Sequence, residues 1–131
     1  MQPIGYIQSP YKERGQAPRQ GMYAQDVTAT LEMLPEFREG IRDIQPGTYG
    51  VILFYFHKSE GYRLLVRPHG VGDEVGVFST RSPNRPNGIG MSVVKFVEND
   101  GERLVFEGAD MLDGTPVLDI KPYVKMRDEA E

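Results

Sequence analysis

Between Thr80 and Gly90 the chain places Arg81 and Arg85 among Ser82, Pro83, Asn84, Pro86, Asn87 and Gly88. Proline, asparagine and glycine turn a backbone unaided, so two guanidinium groups exceed what a turn requires. Arginine presents a fixed fork of donors to phosphate or carboxylate and a flat face for stacking. Prolines beside it reduce the entropy lost when a ligand is held. The segment therefore points to a bound group that is anionic or planar. Two further stretches are more polar than turning demands: Ser9 to Gly21, with Pro18, Arg19 and Gln20, and the turn Asp113-Gly114-Thr115-Pro116. His57 closes the most apolar run of the chain, where an imidazole can donate or accept toward a ligand, or equally bond a backbone carbonyl.

Composition narrows the chemistry. There is no cysteine, which excludes disulfides, thiolate metal sites and a cysteine nucleophile. His57 and His69 are the only histidines, too few and too isolated for a zinc site, so no metal is expected. The net charge is -4, with 15 basic and 19 acidic residues, against a general attraction to nucleic acid or anionic membrane. Between His57 and Lys95, however, six basic residues face three acidic ones, a basic middle in an acidic body. The N-terminus lacks a basic stretch followed by an apolar one, and the longest apolar run is eight residues. A soluble, cytoplasmic protein is expected, with no membrane partner.

The elements that must carry these loops are mostly strands. Short alternating or β-branched runs at 4–8, 27–34, 49–57, 63–67, 76–79, 92–98, 103–107 and 117–121 are separated by Gly, Pro and Asn. Asn99-Asp100-Gly101-Glu102 joins two of them as a hairpin. Only residues 35–41 read as helical, with proline at the first position and Gly40 near the end. The run 49–56 is apolar on both faces and is expected at the centre of a sheet, covered on each side. At 131 residues the expectation is one all-β domain over 1–131, an antiparallel barrel-like fold with one short helix, ending in a flexible tail at 127–131. Loops at one rim of such a barrel commonly build the ligand site.

Four ordered blocks stand out: Ser9-Pro10-Tyr11-Lys12-Glu13 with Pro18-Arg19-Gln20; Phe56-His57; Gly76-Val77-Phe78-Ser79-Thr80-Arg81-Ser82-Pro83-Asn84-Arg85-Pro86-Asn87; and Asp113-Gly114-Thr115-Pro116-Val117 with Asp119-Ile120-Lys121-Pro122-Tyr123. Together they resemble the TrmO (TsaA-like) family of S-adenosylmethionine-dependent tRNA methyltransferases. The resemblance implies a dimerising β-barrel that binds S-adenosylmethionine without a Rossmann fold. The scarcity of helices and a lone Gly88-Ile89-Gly90 agree with that. It further implies that Pro18, Arg19, Gln20, His57, Lys58, Arg81, Met91, Asp113, Gly114, Thr115 and Pro116 hold the cofactor. The implied reaction is methyl transfer to N6 of threonylcarbamoyladenosine at tRNA position 37. This chain departs from the family's usual Arg-Pro-Asn-Pro-Ile-Gly in having Gly88 after Asn87.

Within that resemblance Arg85 is the candidate for a tRNA phosphate and Tyr123, in Lys121-Pro122-Tyr123, for the flipped adenine. No residue reads as an obvious base, so the catalytic residue is unassigned. Two other classes remain open. One is a barrel that binds S-adenosylmethionine and regulates a partner without transferring a methyl group. The other is a single-strand RNA-binding barrel, less well matched by an acidic chain.

Overall fold

The computed structural model describes residues 1–12, 27–57, 61–70 and 72–124. Pro18, Arg19, Gln20, Lys58 and the tail at 127–131 lie outside the described residues. Among the described residues there are eight strands: β1 (Gly5–Gln8), β2 (Thr28–Met33), β3 (Tyr49–Tyr55), β4 (Leu65–Val66), β5 (Val75–Gly76), β6 (Ile89–Asn99), β7 (Arg103–Glu107) and β8 (Pro116–Pro122). Six of them close an antiparallel barrel in the order β1-β2-β7-β6-β3-β8, and β4 with β5 forms a separate ribbon.

Alternation along each strand explains the closure. Ile7, Ala29, Leu31, Met33, Ile52, Phe54, Val94, Phe96, Leu104, Phe106 and Val117 all point inward and are buried. Gly50 and Gly90 make room for rings: a Cβ at Gly50 would come within 2.5 Å of Phe96, and one at Gly90 within 2.6 Å of Phe54 and 2.7 Å of Phe56. Phe54 and Phe56 pack edge to face beside Gly90, with centroids 5.2 Å apart. The expected helix is a 3-10 helix, Pro35–Ile41, whose Ile41 is buried in the core. Asn99 Nδ2 donates to the carbonyls of Ile41 and Ile44 at 2.8 and 2.9 Å, tying this cap to the 99–102 hairpin.

Three local expectations are corrected. Residues 49–56 are not covered on both faces: Tyr49 and Tyr55 are exposed, because a closed barrel has one inside and the run points alternate residues out of it. The segment 76–79 does not continue as strand, since Val77–Ser79 winds into a 3-10 turn when both the N–H and Oγ1 of Thr80 bond the Val77 carbonyl, at 3.1 and 2.7 Å. Strand β6 begins at Ile89, not Ser92, so Gly90 belongs to the barrel wall.

Antiparallel order sends successive connections to alternate poles. The ends of β1, β3 and β7 and the starts of β2, β6 and β8 share one pole. Connections 9–27, 56–88 and 108–115 leave from it, while the 34–48 cap and the 99–102 hairpin occupy the other.

Candidate functional site

At the first pole the described parts of all three polar stretches meet. The 113–116 turn is fixed by the backbone: Gly114, at φ 82°, donates to Ile7 O (2.7 Å), and Ile7 N donates to Thr115 O (2.9 Å). A side chain at Gly114 would be strained in that left-handed conformation. Thr115 is buried and its hydroxyl donates to Leu112 O at 2.6 Å. His57, half-buried at the end of β3, lies against this turn, with Nδ1 3.5 Å from Thr115 Oγ1. Because the single hydroxyl proton of Thr115 is committed to Leu112, any bond across that long contact must be donated by Nδ1–H, which leaves Nε2 as an acceptor. Nε2 sits 3.9 Å from the Cβ position of Gly114.

Asp113 is a clamp on the β1–β2 connection. Its Oδ1 accepts from Ser9 N (2.9 Å), its Oδ2 pairs with Lys12 Nζ (3.1 Å), and its own N–H donates to Tyr11 O (2.6 Å). Ser9 and Lys12 were not singled out as site residues in the sequence. Their link to Asp113 spans about a hundred residues and leaves no local signal.

The 80–88 loop is laced to itself. Ser82 N donates to Thr80 Oγ1 (3.2 Å), Asn84 N to Ser82 Oγ (3.3 Å) and Arg85 N to Pro83 O (3.1 Å). Arg85 Nη1 donates to both Thr80 O (2.9 Å) and Ser82 O (3.2 Å), so this arginine braces the loop that carries Arg81. Arg81 is exposed. Asn84 Oδ1 is buried and has no hydrogen-bond partner among the described residues, an orphaned acceptor in the middle of the loop. Phe56 N donates to Gly88 O at 2.7 Å and joins the loop to the segment that runs from the end of β3 to His57.

Met91 and Tyr123 lie apart from this cluster. Met91 is 42% exposed on the outer wall of β6, paired with Leu53. A ligand touching both His57 and Met91 must therefore lie along the outside of the β3–β6 wall. Tyr123 follows the far end of β8, roughly 20 Å along the strand from Pro116 at 3.3 Å per residue. There it lines a groove of about 1100 Å³ beside Phe37, Ile41 and Ile44. Among the described residues no helix is long and apolar enough to cross a membrane, and no three His, Cys, Asp or Glu side chains are grouped to hold a metal.

Residues 6–129 match the family described as tRNA-methyltransferase O N-terminal domain. A protein of Pyrococcus abyssi named probable S-adenosyl-L-methionine-binding protein is 46% identical over 129 residues, covering 98% of this chain and 70% of its own. The tRNA (adenine(37)-N6)-methyltransferase of Mus musculus is 36% identical over 137 residues, covering 99% of this chain and 32% of its own. A TrmO crystal structure superposes with a TM-score of 0.81 at 45% identity, over 97% of this chain and 58% of that one. All three relatives are longer polypeptides, and this chain spans between about a third and seven-tenths of their length.

Proposed function

Because the chain belongs to the tRNA-methyltransferase O N-terminal domain family, we propose that it binds S-adenosylmethionine and methylates N6 of adenosine 37 in tRNA, taking the threonylcarbamoyl form as substrate. One observation carries the reading: His57, the Asp113–Pro116 turn and the braced 80–88 loop converge on one pole of the barrel. The donor set fits the cofactor. The orphaned Asn84 Oδ1 suits an amine or amide donor, the Nε2 acceptor of His57 suits a hydroxyl or amine, and Arg81 suits a carboxylate. Met91 gives an apolar, polarisable contact on the outer wall. Pro18, Arg19, Gln20 and Lys58 complete the set that this reading assigns to the cofactor, and Asp113 takes part by fixing Ser9 and Lys12 beside the turn.

When bound, the cofactor supplies a methyl group on a sulfonium, with a neutral thioether as leaving group. The residues need to align donor and acceptor and exclude water, contributions that are large for an in-line transfer. The N–CH3 bond forms as the S–CH3 bond breaks, and the N6 proton passes to solvent, helped by the acidity of a urea nitrogen. A cytoplasmic location accompanies a tRNA substrate.

The working unit in this proposal is a homodimer. Tyr49, Val51, Leu53 and Tyr55 of β3 pair with Lys95, Val93, Met91 and Ile89 of β6 and give an almost wholly apolar outer wall. A second copy laid on it covers Met91 and encloses a ligand that reaches from His57 to that residue. Incubation with methyl-labelled S-adenosylmethionine and total tRNA, followed by nucleoside analysis, tests the activity. Label in N6-methyl-threonylcarbamoyladenosine is expected; tight cofactor binding with no labelled nucleoside would favour a regulatory binding module instead.

A further inference from the structure

Phe78 is 72% exposed, the most exposed aromatic ring among the described residues. Its position is not slack. Val77 beside it is buried at 1%, held by Val77 N to Leu64 O (2.8 Å) and by the two Thr80 bonds to its carbonyl. With Val77 turned in, the tight 3-10 turn holds Phe78 out. The Arg85 guanidinium carbon stands 5.9 Å from the ring centroid, and Nη1 of the same group is fixed on Thr80 O and Ser82 O. The ring is thus backed by a cation on one side and open on the other. Arg85 Nε and Nη2 make no hydrogen bond to the described residues.

The surroundings select a partner. Between residues 61 and 90 there are four arginines and two carboxylates, in a chain whose net charge is -4. Arg63 is paired with Glu74 at 3.6 Å. An exposed π-face backed by an arginine is the chemistry of a single-stranded nucleotide site: the ring stacks a base and the guanidinium takes a phosphate. The loop is joined to the His57 segment through Phe56 N and Gly88 O, so a nucleotide stacked here lies next to the pole proposed for the methyl donor.

We infer that Phe78, backed by Arg85, is a stacking platform for an unpaired RNA nucleotide flanking the modified base. The inference rests on the reading of this chain as a tRNA-modifying protein and extends it to the surface that grips the RNA loop. Stacking makes the platform tolerant of base identity, while phosphate contact by Arg85 makes it sensitive to salt.

Fluorescence anisotropy with a labelled, unmodified anticodon stem–loop RNA tests it on the full chain. Phe78→Ala and Phe78→Leu are expected to weaken RNA binding by about 5- to 150-fold, whereas Phe78→Trp retains it. Cofactor affinity by calorimetry and the melting temperature stay unchanged in all three, since the ring is outside both the core and the cofactor set. Leucine separates stacking from plain apolar contact: if Phe78→Leu binds RNA like the wild type, the platform is refuted. It is refuted equally if Phe78→Ala keeps full RNA affinity, if the wild type binds no stem–loop, or if Phe78→Ala changes only the mass seen by light scattering, which would give the ring to a second copy. Methyl transfer is scored separately. A protein that binds RNA through Phe78 but labels no nucleoside fails the enzymatic reading alone, and one that labels tRNA but ignores Phe78 substitution fails the platform alone.

Discussion

Two walls of the same barrel carry opposite outer faces. On β2 and β7 the outward residues are Thr28, Thr30 and Glu32 against Glu107, Val105 and Arg103, and the Glu32 carboxylate is shared by Arg38 and Arg103. On β3 and β6 they are Tyr49, Val51, Leu53 and Tyr55 against Lys95, Val93, Met91 and Ile89. The inward faces do not differ in kind: Leu31 and Leu104 on one wall, Ile52 and Val94 on the other, all buried. Closing the barrel therefore asks nothing apolar of either outer face, and a fold alone would tolerate polar residues on both. The apolar wall is therefore the one that the proposed homodimer would cover, while the polar wall suits water.

The largest effect should come from charging the apolar wall. If the proposed homodimer forms through this wall, Val93→Glu is expected to convert it to a species of 14.8 kDa in light scattering at micromolar concentration. Thr30→Glu, the same change on the polar wall, should leave the mass at twice that value. A wild type already at the monomer mass, or dissociation by both changes alike, would erase the distinction between the walls.

Inside the β6 wall, Gly90→Ala should cost about 1 to 3 kcal/mol by overpacking, because the new methyl meets the Phe54 and Phe56 rings. Gly76→Ala, on the β4–β5 ribbon with nothing within 4 Å, should be neutral or raise stability by roughly 0.4 to 1 kcal/mol. Urea midpoints for the two variants check the contrast. Equal midpoints would mean that the glycine under the rings is not a packing requirement.

On the polar wall, losses should be small and salt-dependent. Arg103→Met removes a partly exposed ion pair with Glu32 and should cost about 1 kcal/mol, weakening at high salt. The smallest effect concerns Asp100, whose carboxyl lies below the usual carboxylate range because the N–H groups of Glu102 and Arg103 donate to it. A depressed folded pKa gives stability that is present above the unfolded value, near 3.8, and lost as pH falls through the lower folded one. Asp100→Asn should flatten the urea midpoint against pH below 4 and lower it slightly at pH 7, where the ionised carboxylate contributes; an unaltered acid limb would remove this role for Asp100.

How far this contrast could be read from the sequence follows from its physics. Alternation predicts the barrel strands well, and Asp-Gly predicts the 99–102 hairpin, because both signals are local. The exposure of Tyr49 and Tyr55 was not legible. A run of eight apolar residues reads as buried on both faces, and nothing local says that its outer side is left exposed. The bracing by Arg85 was not legible either: its bonds to Thr80 O and Ser82 O tie it to its own loop, a contact that residue spacing does not announce. The convergence of three polar stretches on one pole follows from antiparallel order once the strands are known. The Asp113 clamp on Ser9 and Lys12 does not, because it joins the two ends of the chain.

The central claim is that the polar pole holds S-adenosylmethionine through Arg81, and calorimetric titration of the cofactor into the wild type and into Arg81→Ala tests it most directly. Saturable binding is predicted for the wild type, weakened by about 1.5 to 3 kcal/mol in the variant if Arg81 makes a charge-assisted hydrogen bond. Unchanged affinity in Arg81→Ala, or no saturable heat in the wild type, would contradict it.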